Sequence, residues 1–211
     1  FGLFAMPALT SNASAFSPSG VYFEVGSSAI GSELDGKIVE TATTPNETTT
    51  GQVGKTAVTT TLSLGFMTDR SRKLGLDLGY SQMPGSASIK SKTTDGTTSN
   101  VTFELSDANE TYLAPMLNIT EDASLYLKFG WNSTDIKVIG DTTKPTSMDG
   151  ETLALGTIMS WGSNVYIKTE AGITDYDKIT VTGLGSGIPT TTTVSATPTV
   201  HYGKIAIGYK F

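Results

Sequence analysis

Three carboxylates and three ammonium groups carry most of the chemistry this chain could do. They are Glu24, Asp77 and Glu170 against Lys128, Lys168 and Lys204, each at an alternate position opposite an apolar set. A water-facing surface tolerates any ratio of signs. An interior penalises each unpaired ion by several kcal/mol, so equal numbers favour a buried, neutral network. Five tyrosines, Tyr22, Tyr112, Tyr126, Tyr166 and Tyr202, share the same face and supply hydroxyls to it. Catalysis has little else to draw on. There is one histidine, His201, whose position turns it to the apolar face, and no cysteine. Asp175 and Asp177 are spaced i and i+2 and could offer oxygens to a hard cation, although solvated loop charge is the commoner reason for such a pair. The run Gly183 to Gly187 lacks the strand-then-helix context of a phosphate loop. The Asn-x-Ser/Thr triplets at Asn46, Asn100, Asn109 and Asn132 arise readily in Thr-rich segments. No enzyme, metal or cofactor is indicated.

The segments that would position these groups alternate apolar and polar residues, which places the two sets on opposite faces of a strand. Eight such segments occur. The first has Val21, Phe23 and Val25 outside Tyr22 and Glu24, and the second runs from Ala57 to Met67. The third and fourth are built on Leu74 to Tyr80 and Tyr112 to Ile119, with Pro115 requiring a gap or bulge because it has no N–H to donate. The fifth to eighth are Leu125–Asn132, Leu153–Met159, Val165–Ile173 and Lys204–Phe211.

The connections alternate in length. Asp69–Lys73, Thr120–Ala123 and Gly162–Asn164 are short. Ser32–Lys55, Met83 to about Asp107, Ser133–Gly150 and Lys178 to about Pro198 are long and polar. In an up-and-down sheet that puts every tight turn on one side and every long loop on the other. The 211 residues read as one all-β domain, with 23 Gly and a charged fraction of 16%. A net charge of −6 and only two arginines argue against nucleic acid as a partner. Residues 1–15 are apolar from Phe1 to Leu9 and finish in Ala13-Ser14-Ala15, like the back half of a secretory signal peptide, which would leave a mature chain from Phe16. Nothing later approaches the ~20 consecutive apolar residues of a membrane helix.

A membrane imposes that asymmetry of turns and loops, and hydrocarbon demands that a sheet close, since each unpaired backbone group there costs several kcal/mol. The expected fold is an eight-stranded antiparallel up-and-down transmembrane β-barrel over residues 16–211, its last strand paired with its first. Phe66, Tyr80, Trp131 and Trp161 are then candidates for aromatic girdles. The terminal alternation Ile205, Ile207, Tyr209, Phe211 resembles the closing signature of bacterial outer-membrane barrels. As a pattern, the chain is similar to the small group of OmpA transmembrane domains, OmpX, OmpW and opacity-type adhesins. That resemblance implies export through the periplasm to the bacterial outer membrane, with Tyr209 and Phe211 read by the barrel-assembly machinery. It also implies contact with outer-membrane lipid and lipopolysaccharide, and a host or environmental ligand at the long loops.

The expected role is membrane scaffold and surface presentation, with adhesion or defence as possible outlets and a lumen filled by the charge network. A narrow small-solute channel of the OmpW kind is one alternative. A soluble lipocalin-like binding barrel is another, and it requires the opposite orientation, with Leu, Ile and Phe inside.

Overall fold

The computed structural model describes residues 20–40, 47–68, 72–90, 102–139, 147–182 and 192–211. Among these residues nine strands occur: β1 Val21–Glu40, β2 Glu47–Met67, β3 Leu74–Lys90, β4 Thr102–Asn118, β5 Ala123–Ile139, β6 Ser147–Trp161, β7 Val165–Tyr176, β8 Ile179–Thr182 and β9 Thr192–Lys210. All pairings are antiparallel between sequence neighbours, except that β7 and β8 both pair with β9 and β9 also pairs with β1. β7 and β8 are therefore one stave interrupted at Asp177–Lys178, and the barrel is a closed ring of eight staves.

The register fixes the barrel's dimensions. Phe66 lies opposite Leu78, and the row continues through Leu113, Phe129, Leu153, Ile173, His201 and Gly31 to Thr56. Thr56 is on β2 again, ten residues from Phe66. With strands ~4.8 Å apart and a rise of ~3.3 Å per residue, that stagger sets a tilt of about 40° and a radius of about 8 Å. Such an interior is just wide enough to be filled by side chains.

The two faces divide as the alternation predicts. Tyr22, Glu24, Asp77 and Lys168 are 0% exposed, whereas Leu155, Ile205 and Ile207 are 58–60% exposed. Leu127 and Ile205 both point outward, so the arrangement required by a soluble barrel with an apolar interior is not the one present. The outward apolar run on β6, from Leu153 to Trp161, spans about 20 Å along the axis at this tilt, against the ~25 Å apolar band of outer-membrane barrels. Pro115 leaves the expected gap. The β4–β5 ladder passes from Leu113↔Phe129 to Met116↔Tyr126, while Pro115 still faces Leu76 on its other side.

The long connections are shorter than the sequence suggests. Much of Ser32–Lys55 is ladder, with β1 and β2 paired out to Glu40↔Glu47, and β3 and β4 pair out to Lys90↔Thr102. Ser133–Ile139 belongs to β5, and the fourth connection contains β8 and the start of β9. These segments keep the β-branched content of a strand, but beyond the apolar belt neither face need be apolar, so their alternation disappears. What remains of the loops, residues 41–46, 91–101, 140–146 and 183–191, lies outside the described residues, as does the signal-like segment 1–15. β2 and β3 pair only from Leu62↔Gln82 to Met67↔Asp77; further out, β3 passes Pro84 and a register shift at Met83/Ser86.

Candidate functional site

The inward side chains meet across the barrel in two tiers. In the tier nearer the tight turns, Lys168 on β7 reaches Asp77 on the opposite stave, Nζ to Oδ2 2.8 Å, and lies 3.8 Å from Glu24. Asp77 also accepts the Tyr22 hydroxyl at 2.7 Å, and Tyr22 and Tyr112 share a short hydroxyl–hydroxyl bond. Glu24 accepts from Lys204 at 3.1 Å and from Tyr166 at 3.3 Å. The Lys168 ammonium sits 5.0 Å and 5.1 Å from the ring centres of Tyr126 and Tyr112, where the ring faces add to its stabilisation.

In the outer tier Lys128 bridges Glu170 at 2.5 Å and Glu110 at 2.9 Å. Glu170 also accepts the hydroxyls of Tyr126 and Tyr202, each at 2.7 Å. Above it, Asn132, Thr152 and Thr174 form a hydrogen-bonded row with contacts of 2.6 Å. Below the charges Met67, Met116 and Ile158 are buried with the tyrosines. The lumen thus grades from an apolar and aromatic seal at the turn end, through paired charges, to hydroxyls, with Ile136, Met148, Tyr176 and Ile179 buried further out. Among the described residues the Thr61 hydroxyl is the one buried side-chain polar atom with no partner, so the network is close to fully satisfied.

Glycines give the tyrosines room. A Cβ at Gly208 would overlap the Tyr166 ring, one at Gly156 the Tyr126 ring, and one at Gly65 the Tyr22 ring. Each inward ring lies over the bare backbone of a neighbouring strand, which is how large side chains fit a radius this small.

All six charged residues singled out in the sequence are buried and ion-paired together, and all five tyrosines are within the cluster. The count of three against three is not. Glu110 is a fourth buried carboxylate, 7% exposed, so the described network holds four acids and three lysines. Its signal is its parity with Tyr112, two residues on, but Glu110 falls between the connection ending at about Asp107 and a fourth strand starting at Tyr112.

On the outer face Trp161, Phe66, Tyr209 and Phe211 cluster toward the turn end, and the Tyr209 and Phe211 rings meet edge to face at 5.2 Å. Phe211 is held in the ladder, its N–H donating to the Val21 carbonyl at 2.9 Å. Trp131 projects at the outer limit of the apolar belt, level with Glu151 across the ladder. Tyr80 lies opposite Leu64 and Thr111, and the next outward residue on its strand is the exposed Gln82. His201 is exposed on the outer face opposite Ile173, and Asp175 accepts the Thr199 hydroxyl at 3.0 Å. Asn132 faces the lumen, and Asn109 is half-buried.

No family model and no curated protein matches the chain. Solved structures do. The outer-membrane protein OprG from Pseudomonas aeruginosa superposes with a TM-score of 0.64 at 16% identity, covering 92% of this chain and 96% of OprG. Neisserial surface protein A gives 0.48 at 13% identity over 92% and 98% of the two chains. Ail of Yersinia pestis, solved with a heparin analogue, gives 0.46 at 13% identity over 88% and 99%. The closed eight-stranded antiparallel barrel is thus the fold shared with OprG, a bacterial outer-membrane protein.

Proposed function

We propose that this chain is an integral protein of the bacterial outer membrane. It would reach that membrane through the periplasm and act as a membrane-embedded scaffold that presents its extended outer strands and loops at the surface, for adhesion or defence, without catalysing a reaction. The observation that carries this reading is the inverted partition of side chains. Seven charged residues are sealed in the ring, while Leu64, Leu155, Met159, Ile205 and Ile207 stand exposed around it. A face of that kind is stable against lipid and not against water. Aromatic residues toward both ends of the belt fit the two interfaces, and the exposure of Tyr209 and Phe211 at the end of the closing strand supports their being read from the side by assembly machinery.

The lumen is read as a structural plug, since cross-barrel ion pairs and buried tyrosine rings, Tyr22 and Tyr166 edge to face at 5.9 Å, occupy it. One observation favours a second reading, passage of a small solute. Beyond Leu62↔Gln82 the facing edges of β2 and β3 make no ladder pairs, so the outer wall is interrupted along that seam. Planar bilayer recording separates the two. The refolded protein is expected to give no steady single-channel current. Resolved steps whose size changes in Lys128→Ala or Glu170→Gln would establish the channel instead.

A further inference from the structure

The outer wall over β5, β6 and β7 carries a groove of about 840 Å³ that the scaffold reading does not use. On its outward side Phe129, Leu153 and Ile173 lie side by side in one register row, with Trp131 in the next row out, while the inward-facing Asn132, Thr152 and Tyr176 also border it. In that next row Trp131 is followed by Glu151 and Asp175, and one step further come Asp149 and Asp177, joined through the Asp177 N–H to the Asp149 carbonyl at 2.8 Å. Among the described residues no lysine or arginine lines the groove. Four carboxylates therefore border a patch of aromatic and aliphatic side chains on the outward face, at the height where Trp131 marks the edge of the belt.

We propose that this groove binds a multiply cationic amphipathic peptide lying at the outer surface of the membrane. The inference rests on the membrane reading above. Charge complementarity selects the sign of the partner, and the four carboxylates, spread over two strands ~4.8 Å apart, match several positive groups better than a single one. The outward apolar row selects an apolar face on the same partner. A helix with Lys and Arg on one side and Leu, Phe or Trp on the other settles at this depth in an interface, where both halves of the groove are in reach.

The test uses the full chain carrying Trp161→Phe, so that Trp131 is the sole tryptophan, refolded into phosphatidylcholine vesicles. The probe is a Lys/Leu amphipathic peptide bearing a nitroxide on its apolar face. Saturable quenching of Trp131 is expected. Affinity should fall about tenfold when Asp149, Glu151, Asp175 and Asp177 are changed together to their amides, because each exposed charge contact is worth only about 1.4- to 5-fold. A Glu/Leu peptide with the same apolar face should quench far less. Equal quenching in the amide variant would overturn the proposal, since the peptide would then be partitioning into lipid alone. So would occupation of the groove by a second copy of the chain, or by anionic lipid only when calcium is added. Brominated acyl chains, tested in parallel, distinguish the two levels of failure. If they quench Trp131 and the peptide does not, the groove proposal fails and the membrane reading stands; if neither quenches, both fall.

Discussion

Replacing Lys168 by methionine is expected to cost about 3–5 kcal/mol of stability, the range found when one partner of a buried ion pair is removed. The side chain is 0% exposed, and its ammonium is 2.8 Å from Asp77 and 3.8 Å from Glu24. Methionine fills the space but leaves two carboxylates in a sealed interior with only Lys204 and hydroxyl donors near them. The loss would be read from urea unfolding in lipid vesicles, followed by the shift between folded and unfolded bands on an unboiled gel. Adding Asp77→Asn to Lys168→Met should recover a large part of the loss, because it removes the charge that was stranded. A loss below about 1 kcal/mol for the single change would mean that water reaches the cluster and that the lumen is not the sealed plug described.

The second large effect lies on the opposite face. Leu127→Arg is expected to destabilise the folded protein in vesicles by about 2–4 kcal/mol, the cost of placing a guanidinium near the bilayer midplane on a lipid-facing position. Leu127 is 39% exposed and pairs with Leu155, midway between the aromatic residues at the two ends of the belt. The same residue introduced at Asp135, which is exposed beyond the belt on the same strand, should change stability by no more than about 0.5 kcal/mol. Equivalent small effects at both positions would place Leu127 in water and contradict the membrane assignment.

The belt was legible in the sequence because an exposed apolar face on one side and a narrow lumen on the other force a strict two-residue period. Every strand core, from Phe23 and Val25 to Ile205 and Ile207, obeys it. The inward charges were legible for the same reason, since Lys128 between Leu127 and Phe129 has only one face to go to. Pro115 could be placed at a ladder gap because a missing N–H is a local property. What the period could not reveal is where it stops mattering. Beyond the apolar belt neither face need be apolar, so Glu33, Asn109 or Asp135 can stand in a strand without any apolar partner, and the strands run further than the period shows. Glu110 was missed by that route, and with it the surplus carboxylate of the outer tier. The break at Asp177–Lys178 was hidden because two polar residues inside a stave look the same as the start of a loop.

Orientation of side chains about the ring is the claim on which the rest depends, and nitroxide scanning along β5 in phospholipid vesicles measures it directly. Labels at Leu125, Leu127 and Phe129 are predicted to collide freely with dissolved oxygen and hardly at all with a water-soluble nickel chelate. Labels at Ser124 and Asn132 should be shielded from both. High nickel accessibility at Leu125, Leu127 and Phe129, or oxygen accessibility without alternation along the strand, would contradict a barrel with its apolar face in lipid.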